Sequence, residues 1–187
     1  MLSRTISGFL VIILLSVNVS AQTGCDTIFW SASRKLVPND FKDVADTGKT
    51  MIAFTMAKFG YKVFPQSDEM IVNTSTYFLP CRSWLNRRNM TNSLNHEQLH
   101  FDIAEYYRRL FLQRINETTY SADLFPSATR AIFRDLADQR RQMDDNYDKQ
   151  TNVGLNAEEQ KKWIDKVASL LSGLKKYETT ISDIKLK

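Results

Sequence analysis

The sequence predicts an α+β fold: a small antiparallel sheet followed by a three-helix segment. Three observations carry this. Apolar residues alternate with period two from about Thr50 to Leu79. The apolar spacing then turns helical from about Leu94 onward. Gly60, Pro80 and Pro126 stand between the resulting segments.

The chain opens on an address. Arg4 supplies a short positive region, Gly8 to Val17 is apolar, and Val19-Ser20-Ala21 offers small residues at a cleavage site. This pattern predicts a Sec-type signal peptide over residues 1–21. Its apolar run is short for a membrane span, and no later stretch approaches spanning length. Residues 22–187 are therefore expected to form a single exported domain, secreted or periplasmic, without a stable membrane span. The formal net charge of +4 is a mild bias. Export and the dispersal of the basic residues argue against a nucleic-acid partner. Arg130, Arg134 and Arg141 share a predicted helix with Asp135, Asp138 and Asp145, as on a solvated mixed surface. Oligomeric state is not legible. Cys25 and Cys81 form no C-x-x-C motif, and in an oxidising compartment they are expected to pair. A lipid on Cys25 is the alternative, since Gly24 precedes it.

The elements follow in order. Residues 26–48 are a lead-in carrying Trp30, Leu36 and Phe41, broken by Pro38. Ile52, Phe54 and Met56 alternate with Ala53, Thr55 and Ala57 as in a strand. Tyr61 and Val63 follow Gly60, read as a turn. Met70 to Leu79 is rich in β-branched and aromatic residues, and Pro80 ends it. Asn92 or Ser93 can cap a helix from about Leu94 to Ile115. Pro126 is tolerated in a first turn, so a second helix is expected from about Ser127 to Tyr147, burying Ile132, Phe133, Leu136, Met143 and Tyr147. A third helix starts at Asn156, with Glu159 three residues on, and buries Trp163, Val167, Leu170, Leu171 and Leu174.

The chain's two histidines, His96 and His100, lie in His96-Glu97-Gln98-Leu99-His100. Residues i and i+4 share a helix face, so both imidazoles can bind one Zn²⁺ at about 2.0–2.1 Å. Glu97 follows the first histidine and can take a proton from a water on the metal. The pattern points to a zinc metallopeptidase acting on a peptide or protein substrate. Zinc peptidases of this type place their motif helix behind a sheet whose edge can hold an extended peptide.

The flanks extend the likeness. Asp40-Phe41-Lys42 near Trp30, Ser83-Trp84, Leu94 through Glu105, Tyr147-Asp148 with Thr151, and Gln160 with Trp163 occur in one order. Together they resemble a bacterial family of predicted secreted zinc-dependent proteases, catalogued as a domain of unknown function. The resemblance implies a zincin-like motif helix, zinc as cofactor, His96 and His100 as ligands, and Glu97 as general base.

One position departs. The family pattern after Tyr-Asp implies Thr-x-His, whereas this chain reads Thr151-Asn152-Val153. Valine offers no donor atom, and a catalytic zinc site normally takes three protein ligands. Three readings stay open. A carboxylate fills the gap, Asp148 first and Asp144 or Asp145 after it. Alternatively, Asp102 or Glu105 ligates, although each lies roughly 180–200° around the helix from a motif histidine. Finally, the site is degenerate and the chain is a non-catalytic envelope or secreted binding module. Tyr147 is read as core before oxyanion donor, Asp102 as imidazole partner or surface acid, Trp84 and Trp163 as core, and Thr151 as a loop or capping residue.

Overall fold

The computed structural model describes residues 25–44, 53–86 and 90–187. The signal-peptide reading of residues 1–21 and the contribution of Ile52 to the strand pattern lie outside these. The architecture is α+β, with strands β1 (Ile28–Phe29), β2 (Ala53–Phe54), β3 (Ala57–Gln66), β4 (Glu69–Phe78), β5 (Trp84–Leu85) and β6 (Ile181–Lys185), and helices α1 (Met90–Asn116), α2 (Phe125–Thr151) and α3 (Ala157–Gly173).

β4 is the spine of the sheet. β3 pairs along its whole length, from Ala57 opposite Phe78 to Gln66 opposite Glu69. The other side of β4 is shared by β1 near Phe78 and by β6 near Glu69. β2 and β5 form a separate two-stranded ribbon. All of these strand pairs are antiparallel. Alternation along β4 sends Val72, Thr74, Thr76 and Phe78 inward, and these are buried. The hairpin turn falls at Ser67-Asp68, where Ser67 adopts φ 49°. The reading of Gly60 as a turn is corrected: it sits inside β3 opposite Ser75, beside the Tyr77 ring. β6 was not anticipated either.

The helices cover the inner face of the sheet. α1 begins at Met90, earlier than Asn92 or Ser93 would cap it. It packs on β3 and β4 and is flanked by α2 and α3. Phe101, Ile103, Ala104, Tyr107, Phe111, Leu112 and Ile115 are all buried, as are the polar His96, Glu97, Glu105 and Arg108, so α1 is covered on nearly every side. α2 starts two residues ahead of Ser127 and runs to Thr151, with Pro126 in its first turn. The Asn156 side chain caps α3 by accepting from the Glu159 amide at 3.2 Å. The main core joins Phe59 and Val72 of the sheet to Ile103, Phe111, Leu136, Tyr147, Trp163 and Val167 of the helices. Each such side chain contributes about 1.5–3 kcal/mol on burial. Trp84 is also buried, as expected.

Polar ties explain several of the flanking signature residues. Asp40 accepts from the Val37 amide and from Arg34, each at 2.8 Å, closing the short turn 38–40. The Ser83 hydroxyl accepts from the Met56 amide and donates to the Leu79 carbonyl, both at 2.9 Å, fixing the stretch between β2 and β3. Cys25 and Cys81 form a disulfide with Cα atoms 5.2 Å apart, tying the lead-in to the turn after β4. Among the described residues no helix is long and apolar enough to cross a membrane.

Candidate metal centre

Helical spacing on two helices builds the site. His96 and His100 stand one turn apart on α1. Arg140, Asp144 and Asp148 stand one turn apart in succession on α2. Packing these two stripes together brings His96 Nε2 and His100 Nε2 each to 2.9 Å from the same oxygen, Asp148 Oδ1. His96, His100 and Asp148 form a group able to hold a metal ion, each offering one ligand atom and all within 4.8 Å of one another. Asp148 is the carboxylate the sequence reading ranked first.

The far side of each ring is also partnered. His100 Nδ1 meets Asp144 Oδ1 at 2.9 Å, and His96 Nδ1 meets Gln160 Oε1 at 3.2 Å. Both Nδ1 atoms therefore face acceptors and serve as donors. A neutral imidazole with its hydrogen on Nδ1 presents a lone pair at Nε2. Both Nε2 atoms converge on one carboxylate oxygen, an arrangement able to hold a cation. Burial disfavours charge on His100, but its hydrogen bonds to Asp144 and Asp148 outweigh it and push its pKa up to about 10. Asp148 follows the same logic: burial works to raise it, while the two histidines hold it well below the usual carboxylate range. Two imidazoles and one carboxylate are a donor set suited to a divalent metal ion.

Glu97 is buried and lines the same cleft as the three donors. Burial raises its pKa, against the opposing pull of His100 and His96. The Thr55 side chain approaches it from the stretch before β3. The cleft has a volume of about 560 Å³. The segment 53–59 lines it, as do Phe133 and Arg140 of α2 and Val153 beyond α2.

Val153 and its neighbours are unusual backbone. Asn152, Val153 and Gly154 take φ of 48°, 51° and 83° in succession. A β-branched residue in this region costs about 1–2 kcal/mol. The Val153 amide donates to the Asp148 carbonyl at 2.8 Å, and the Thr151 hydroxyl, buried, donates to the Tyr147 carbonyl at 2.7 Å. These ties hold the reversal between α2 and α3 and press Gly154 against His96.

The remaining candidates lie elsewhere. Asp102 accepts from Trp30 Nε1 at 2.7 Å and from Gln98 Nε2 at 2.9 Å, locking the lead-in onto α1 rather than orienting an imidazole. Glu105 is buried between Arg108 and Arg109. Both face away from the histidine stripe, so neither supplies a ligand. Asp145 is exposed. Tyr147 is fully buried, stacks on His96 at 4.4 Å and donates to Gln160 Oε1 at 2.8 Å, so its hydroxyl is committed behind the histidines. Sequence reasoning did not assign Arg140, Gln160 or Thr55 to the site. For Arg140 the signal was present in the four-residue spacing to Asp144 and Asp148; Gln160 stood among the flanking signature residues without a role, and for Thr55 nothing local announced it.

No curated protein and no solved structure matches the chain. Residues 81–154, which run from the turn after β4 through α1 and α2 to Gly154 and so include His96, Glu97, His100 and Asp148, match the model of a family described as a bacterial protein of unknown function (DUF922).

Proposed function

We propose that the protein is an exported zinc metallopeptidase. The observation that carries the reading is the convergence of His96 Nε2 and His100 Nε2 on Asp148 Oδ1, with a buried glutamate beside them in an open cleft. Residues 1–21 serve as its signal peptide, and the disulfide and the absence of a spanning helix among the described residues agree with a place outside the cytoplasm. His96, His100 and Asp148 hold the zinc ion. When bound, zinc supplies a Lewis acid that acidifies a water and polarises a carbonyl. Asp148 makes up the three-ligand set that Val153 would otherwise leave short.

The chain's own residues supply the rest. Glu97 accepts a proton from the water whose oxygen attacks the scissile carbonyl carbon. As the carbon–nitrogen bond breaks, Glu97 returns that proton to the departing amine. Burial favours the protonated form of Glu97, which suits a group that must release a proton as well as take one. The 53–59 wall suits an extended peptide laid alongside, and Phe54, Met56, Phe59 and Phe133 favour an apolar side chain in the cleft.

Two variants test the reading. Glu97→Gln should retain about one zinc per chain and lose hydrolysis of a mixed peptide library; equal hydrolysis by variant and parent refutes catalysis at this site. Asp148→Ala should bind zinc more weakly than the parent in competition with a chromophoric chelator, and unchanged affinity removes Asp148 as a ligand. Stoichiometric zinc without any Glu97-dependent hydrolysis would favour the binding-module reading.

A further inference from the structure

We infer that Arg140 is a positioning residue that ties the metal ligand His100, through Asp144, to the strand wall of the cleft. The inference rests on the metal-site reading above and concerns how the site is held rather than what it hydrolyses.

The chain of contacts is continuous. Asp144 divides its carboxylate: Oδ1 meets His100 Nδ1 at 2.9 Å, and Oδ2 lies 3.0 Å from Arg140 Nε. The guanidinium is fixed at its other end, where Nη1 donates to the Ala57 carbonyl at 2.8 Å. Ala57 opens β3, the edge strand of the sheet, and is itself buried. Met56 is pinned as well, since the Ser83 hydroxyl accepts from its amide, and Thr55 lines the cleft that Glu97 also lines. The short stretch 55–57 therefore lines the cleft beside Glu97 and, by way of Arg140 and Asp144, reaches His100.

Charge and shape explain why an arginine is used. Asp144 would otherwise face His100 with one oxygen unopposed in a partly buried place, where a lone carboxylate is costly. A planar guanidinium can meet a carboxylate with one edge and a carbonyl with another, which a flexible ammonium does less rigidly. Arg140 Nε–H is buried and does not point squarely at Asp144, so the pair is held by charge and by the Ala57 anchor. Moving the anchor moves Asp144, and with it the direction of the His100 lone pair. Partners of this kind tune metal affinity by about 10–100-fold.

The test uses the exported chain lacking residues 1–21, with Zn²⁺ titrated against a chromophoric chelator and Co²⁺ followed by its visible spectrum. Asp144→Asn should weaken Zn²⁺ binding by about 10–100-fold. Arg140→Ala should weaken it about tenfold and shift the Co²⁺ bands, with Arg140→Lys in between. Arg114→Ala, which breaks an exposed ion pair with Asp135, should leave both readouts unchanged. Arg140→Ala with the parent's affinity and spectrum overturns the inference, even if Asp144→Asn loses affinity. If the parent takes up neither ion, the metal reading fails by itself. The Arg140 claim is then judged on the hydrogen-bonded His100 Nδ1 proton in the NMR spectrum: it should be lost in Asp144→Asn and displaced in Arg140→Ala, and an unmoved resonance in Arg140→Ala overturns it.

Discussion

Replacing Gly154 with alanine should weaken both the fold and its hold on zinc. Gly154 sits at φ 83°, where a side chain costs about 1–2 kcal/mol. A Cβ built there would lie 3.0 Å from His96 Cβ, 3.1 Å from Cγ and 3.3 Å from Nδ1. Ordinary carbon contacts run at about 3.5–4.0 Å. His96 has nowhere to retreat, because its ring stacks on Tyr147 at 4.4 Å and its Nδ1 is held by Gln160 at 3.2 Å. Adding an overpacking cost of about 1–3 kcal/mol gives a total loss of about 2–5 kcal/mol. Urea unfolding in the presence of a chelator measures the first effect, and zinc competition measures the second. Gly173→Ala is the matched control, since a Cβ there meets nothing within 4 Å. A Gly154→Ala variant within about 0.5 kcal/mol of the parent, with unaltered zinc affinity, refutes the reasoning.

Two further expectations follow from buried charge. Arg108 is 1% exposed and bonds to Glu105, to Thr74 and to the carbonyls of Tyr177, Glu178 and Thr179. Arg108→Met strands Glu105 with Arg109 alone and should cost about 3–5 kcal/mol in chemical denaturation; a loss below 1 kcal/mol, on the order of a surface change, contradicts that role. In the ion-free chain, burial opposes charge on His100, but its aspartate partners raise its pKa to about 10, above the ordinary value of about 6.5. The resulting stabilisation is complete below about pH 6.5 and is lost as pH rises through about 10. Thermal melts in chelator should fall across that window, and the fall should be absent from His100→Gln.

Much of this was readable in the chain. The helices announced themselves by spacing, and Asn156 by its capping chemistry. The hairpin was readable as two strands but not where it turned. Gly60 looks like punctuation, yet it is accommodated within β3 opposite Ser75, while the turn was given to Ser67 and Asp68, which carry a weaker signal. β6 was invisible because Ile181–Lys185 is a strand only by virtue of pairing with β4, a contact far away in sequence. At the site, His96, Glu97 and His100 follow from one turn of helix. Asp148 was one of several acids within reach. Only the packing of α2 on α1 separates Asp148, which meets both Nε2 atoms, from Asp144, which meets Nδ1. Gln160 was out of reach for the same reason, since it arrives from a third helix.

The burial of α1 on nearly every side has a consequence for how the donors behave over time. Amides near His96 and His100 should exchange with solvent only when the whole molecule opens, not by local fraying. The imidazoles are then standing in place before any ion arrives. Zinc uptake need not organise the fold, in contrast to small fingers that are coils until metallated. Stripping the ion should leave a protein of nearly the same far-ultraviolet dichroism, ready to be reloaded.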